Sequence, residues 1–122
     1  MYTEEYSIET VGQLLKELGE HHPSKEVYYT LVSKDRTKDI EELELYDLPG
    51  NKEGKFSFIL QDAEEINLRL PTLTILNLMI LLKISEDVEL EFKLKVGDSL
   101  RLLKLVTIFN EEDSIQFILR QA

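Results

Sequence analysis

Apolar residues recur along this chain with two periods, and the switch between them separates a helical start from a β-rich remainder. From Thr10 to Leu18, the residues Val11, Leu14, Leu15 and Leu18 fall at i, i+3, i+4 and i+7, one face of a helix. Thr10 followed by Gln13 forms a capping-box pattern, and Gly19 is a natural stop. His21-His22-Pro23-Ser24 then breaks the chain.

Beyond Pro23 the period falls to two. Glu26–Ser33 is rich in β-branched and aromatic residues, and Glu42–Tyr46 alternates with Leu43 and Leu45 on one side. Pro49-Gly50-Asn51 marks a turn. Lys55–Gln61 turns Phe56, Phe58 and Leu60 inward, and Glu65–Leu70 does the same with Ile66, Leu68 and Leu70. The cleanest alternation runs from Val88 to Val96. There Val88, Leu90, Phe92, Leu94 and Val96 share one face, and Glu89, Glu91, Lys93 and Lys95 share the other. Gly97-Asp98 predicts a tight turn into a strand over Leu100–Phe109. Asn110–Asp113 then turns into a last strand, Ser114–Arg120, with Ile115, Phe117 and Leu119 inward.

One segment fits two readings. Pro71–Ile84 suits a buried helix begun by Pro71, or a central strand apolar on both faces; its length and its Leu, Asn and Met content lean towards a second helix over 72–84. The order of elements predicts one α+β domain over 1–122. It is mostly antiparallel β, a curved sheet or small barrel, with an N-terminal helix.

Composition narrows the class. With 122 residues, 43% hydrophobic and 31% charged, the chain has enough apolar material for a core. It has no cysteine, which excludes disulfides, thiolate metal sites and cysteine nucleophiles. The opening MYTEEYSIETV lacks the basic start and apolar stretch of a signal peptide. The most apolar run, Leu73–Leu82, is too short for the roughly 20 residues of a bilayer span. The expectation is a cytoplasmic protein without membrane contact.

The net charge of −10 is uneven: residues 1–65 hold 16 acids and 7 bases, residues 66–122 hold 8 acids and 7 bases. The overall field opposes attraction to nucleic acid or anionic lipid. Candidate chemistry is sparse. The glycines at 12, 19, 50, 54 and 97 build no phosphate loop. His21 and His22 are adjacent and do not converge as ligands. The acidic runs, Asp39 to Asp47 and Asp62 to Glu65, lack the spacing of a Ca²⁺ loop. The expectation is a non-catalytic protein with no cofactor and no metal.

Aromatic placement suggests a binding role instead. All five tyrosines lie in the first 46 residues and all five phenylalanines lie later. Phenylalanine fills cores, whereas tyrosine tolerates half-burial and is enriched at interfaces. Tyr28 and Tyr29 are strand neighbours, so they face opposite sides and only one need be core. The candidate protein-binding residues are Tyr28, Asp39, Glu41, Glu42, Glu44 and Tyr46, an acidic surface suited to a basic protein. The alternative is RNA, contacted by Lys93, Lys95, Arg101 and Lys104, a local excess of base broken only by Asp98. Arg101 and Lys104 have opposite parity and do not share one flat face.

The run TVGQLLKEL at Thr10–Leu18, the His/Pro loop and the strand start at Glu26-Val27 resemble small proteins of phages and conjugative plasmids of Gram-positive bacteria. In those a helix of the form TVGxLLxxL precedes a strand. The resemblance ends at Val27 and implies no functional residue. The element order is also similar to that of small plasmid-encoded regulators with a PUA-like barrel, which implies a barrel and an RNA ligand.

Overall fold

The computed structural model describes residues 8–32, 41–63 and 70–122. Its first helix, α1 (Val11–Leu18), is set by local chemistry. Thr10 Oγ1 accepts from the Gln13 amide at 3.3 Å, and the Gln13 side chain accepts from the Thr10 amide at 3.1 Å. The Gly12 amide donates to Asp87 Oδ1 at 2.9 Å, and a Cβ at Gly12 would lie 3.1 Å from that oxygen. Glycine therefore lets a carboxylate reach the positive end of the helix.

Seven strands follow among the described residues: β1 (Glu26–Leu31), β2 (Glu41–Leu45), β3 (Gly50–Lys52), β4 (Lys55–Asp62), β5 (Leu90–Val96), β6 (Ser99–Asn110) and β7 (Ser114–Gln121). They form one sheet in the order β2-β1-β7-β6-β5-β4-β3, and an extra β2–β4 pairing closes six of them into a barrel. Most pairings are antiparallel. Two are not: β1 runs parallel to β7, and β4 parallel to β5. A chain read as sequential hairpins misses both. Parallel neighbours need a crossover of a dozen or more residues, and the connection from β4 to β5 carries helix α2 (Ile75–Lys83).

Within Pro71–Ile84 the helix runs from Ile75 to Lys83, starting after Thr74 rather than at Pro71. Thr74 and Asn77 repeat the reciprocal cap of α1, with bonds of 3.2 and 3.1 Å. The Val11 amide donates to the Val88 carbonyl at 2.9 Å, and the Ile75 amide to that of Lys25 at 2.8 Å. These bonds hold both helices over the barrel end at which β1 and β5 begin. They bury Leu14, Leu18, Leu78 and Leu82 there.

Inside the barrel the aromatic rings meet. Phe58 stacks on Phe92 at 4.6 Å, and Tyr29 meets Phe117 edge-on at 5.4 Å. As alternation predicts, Tyr29 is buried and Tyr28 is exposed.

Several apolar strand positions depart from strict alternation. Val96 is exposed, because the β5–β6 hairpin tip runs past the packed part of the barrel, and Val88 and Leu90 are only half-buried. Phe109 is 55% exposed because the register slips between Leu105 and Thr107. The extra residue, Val106, moves Ile108 inward and Phe109 outward. The predicted strand Glu65–Leu70 lies outside the described residues except for Leu70, which is exposed. Two turns have defined chemistry. Glu53 and Gly54 both have positive φ, the type I′ pattern, and Gly97 alone does so in its turn, the type II′ pattern.

Candidate functional site

The outer face of β1 and β2 holds part of the predicted acidic surface. Tyr29 pairs with Leu43 and Thr30 with Glu42, so inward Leu43 and Leu45 leave Glu42 and Glu44 pointing out, on the face of Tyr28 and Glu26. Glu41 has the opposite parity and stands exposed at the start of its strand, away from that set. Asp39 lies outside the described residues. Tyr46 is exposed but faces elsewhere: Lys95 Nζ sits 4.9 Å from the centre of its ring. Partial burial and the Glu26 carboxylate, which also takes a hydrogen bond from the phenol, push the Tyr28 hydroxyl above its ordinary range.

Next to this face the sheet forks. The β1–β2 pairing covers only Tyr29 to Leu31 against Leu43 to Glu41, after which β2 swings towards β4. The 70–74 segment takes its place: the Val27 amide donates to the Leu73 carbonyl at 2.9 Å, and Glu26 bridges to Thr74. A cleft of about 120 Å³ opens at the fork, walled by Tyr28, Glu44, Leu45, Leu70 and Pro71 among others. That volume suits one side chain and falls short of the roughly 300 Å³ at which small-molecule sites begin. Tyr29, which also lines the cleft, keeps its hydroxyl buried with no hydrogen-bond partner, and burial raises the phenol well above the usual range. An orphaned core hydroxyl leaves no mark in a sequence pattern.

The basic set divides as its parity requires. Lys93 lies opposite Leu102 and Lys95 opposite Leu100, so both point outward, and Lys104, opposite Arg120, shares their face. Arg101 lies opposite Leu94 and has the inward parity. Two of these bases are engaged. Lys93 pairs with Glu91 at 3.4 Å, and Lys95 donates to the Gly97 carbonyl at 2.7 Å. Leu100 and Leu102 are exposed between the lysines.

The two histidines diverge. His21 Nε2 is 3.4 Å from Glu17, and His22 Nδ1 is 2.7 Å from Ser24 Oγ. Among the described residues no three His, Asp or Glu side chains gather as metal ligands do, and no helix is long and apolar enough to cross a membrane. Comparison with protein-family models, with curated proteins and with solved structures finds no match.

Proposed function

We propose that this chain is a non-catalytic, cytoplasmic binding module that recognises a basic segment of a partner protein through the outer face of β1 and β2. The observation that carries the reading is the fork. It sets an exposed tyrosine, Tyr28, beside Glu26 and across a side-chain-sized cleft from Glu44. A lysine or arginine stem fits against the tyrosine ring and the apolar wall of Leu45 and Pro71, with its charge among the carboxylates. The excess of acid in residues 1–65 speeds the encounter with such a partner.

The test is selection of random linear peptides on the immobilised protein. Retained peptides are expected to be enriched in lysine and arginine. Glu26→Lys with Glu42→Lys, both at exposed positions, weakens their binding about tenfold at low salt. Lys93→Glu with Lys95→Glu leaves it unchanged. Single-stranded RNA binding that the lysine reversals abolish, with no basic peptide retained, overturns the reading in favour of RNA recognition by the β5–β6 face.

A further inference from the structure

Two cations on the outer face of the barrel stand directly against each other. Lys104 on β6 lies opposite Arg120 on β7, and both are exposed. Like charges at directly opposed strand positions repel. No carboxylate among the described residues pairs with either of them. Glu91, the acid on the same face of β5, is committed elsewhere: it accepts from Ser57 at 3.0 Å and pairs with Lys93 at 3.4 Å.

The same face of β6 carries Leu100 and Leu102 ahead of Lys104, and the leucines are 48% and 56% exposed. Alternate residues of a strand stand about 7 Å apart, so two apolar side chains and then the cation pair follow at even spacing. Lys95 and Lys93 lie opposite the two leucines and flank them with their stems.

From this we infer that the outer ridge of β6 is a second binding site, whose ligand is an extended acidic segment of a partner protein. An extended chain has the same repeat of about 7 Å. Laid along β6, it sets two alternate apolar side chains against Leu100 and Leu102. Its next residue on that side, an acid, then places a carboxylate between Lys104 and Arg120. There the carboxylate relieves the repulsion of the two cations, and the Arg120 guanidinium offers it paired donors.

Charge selects this occupant. Residues 93–104 hold four bases and one acid in a chain of −10, so an acidic segment is drawn to this face and repelled elsewhere. RNA is a poorer match. Leucines offer no ring on which a base can stack, and the nearby Tyr46 ring already carries Lys95. An anionic lipid surface is also poorer, because Asp98 stands exposed in the hairpin turn that would enter it. The site lies on β5, β6 and β7, so the inference does not depend on the role proposed for β1 and β2.

The test is an NMR titration with synthetic peptides bearing Leu-Ser-Leu-Ser-Glu in either chain direction, against counterparts ending in Gln. Amide shifts should concentrate at Leu100 to Lys104 and at Arg120, with the acidic peptides binding about tenfold tighter. Lys104→Glu turns the opposed cations into an ion pair, so it should raise the melting temperature while weakening the acidic peptides about tenfold. A residue with a merely structural role would lower both. Leu102→Ser should weaken binding and leave the circular dichroism spectrum unchanged. Equal binding of the Glu and Gln peptides, or no effect of Lys104→Glu on binding, overturns the inference. So does a lower melting temperature for Lys104→Glu, which would give Lys104 a partner within the fold. Oligouridine that binds this face more tightly than the acidic peptides, and is lost with Lys104→Glu, overturns it in favour of nucleic acid.

Discussion

Tyr29→Phe should make this protein more stable. The Tyr29 side chain is buried among Phe58 and Phe117, and its hydroxyl has no hydrogen-bond partner. Leaving a buried hydroxyl unsatisfied costs about 1–3 kcal/mol, whereas the phenyl ring keeps every apolar contact of the phenol. The expected gain is about 1 kcal/mol, or about 4 °C in Tm for a domain of this size. Urea unfolding followed by circular dichroism measures it. Alkaline pH supplies a second arm. Burial holds the Tyr29 pKa in the folded state above that of the unfolded chain. The stability linked to this group is therefore complete below the unfolded value near 10 and is lost as pH rises from there towards the folded value. In that window the wild type should lose about 1.4 kcal/mol per pH unit that Tyr29→Phe retains. Tyr28 titrates identically in both proteins, so the difference isolates Tyr29. A Phe variant less stable than the parent by 1 kcal/mol or more would show that the hydroxyl has a partner and would refute the reasoning.

Truncating Phe58 to Ala should destabilise by about 3–5 kcal/mol, because its fully buried ring touches Tyr29, Phe56, Phe92 and Phe117. A urea midpoint near that of the parent would place the ring outside the core. Glu53→Asn should stabilise by about 0.5 kcal/mol in thermal melts, since Glu53 holds φ 52° in a two-residue turn where Asn-Gly is favoured. A lower Tm for that variant would mean the turn is not of type I′.

Much of the fold is legible in the sequence because its signals are local. The reciprocal cap of Thr10 and Gln13 and the spacing of Val11, Leu14 and Leu18 need no distant partner to specify α1. Strict alternation likewise fixes which side of β4 and β7 meets the core. What escapes is non-local. Nothing near Glu26 announces that β1 will run parallel to β7, nor does the apolar alternation around Leu105 reveal the extra residue that turns Phe109 outward. The cap of α2 was readable, since Thr74 and Asn77 stand in the right positions. Asn in place of Gln or Glu, with Pro71 upstream, points instead to an earlier start.

The candidate surfaces show the same limit in another form. Tyr46 follows Glu42 and Glu44 in sequence, which suggests one acidic, tyrosine-bearing face. Strand order separates them, because β2 has β1 on one side and β4 on the other, and β4 leads on to β5. The Tyr46 amide donates to the Ile59 carbonyl, and Ile59 lies opposite Lys93, so the tyrosine sits over the lysine-bearing strands. Its ring then holds Lys95 rather than joining Tyr28. Lys95, in turn, is less available to phosphate than its place in a basic run implies, because the Gly97 carbonyl and the Tyr46 ring already engage it. The barrel closure that brings β2 to β4 therefore trims both candidate sets at once. It leaves Tyr28, Glu26, Glu42 and Glu44 as the acidic face. On the other side, Lys104 shares the outward face with two lysines that are already engaged.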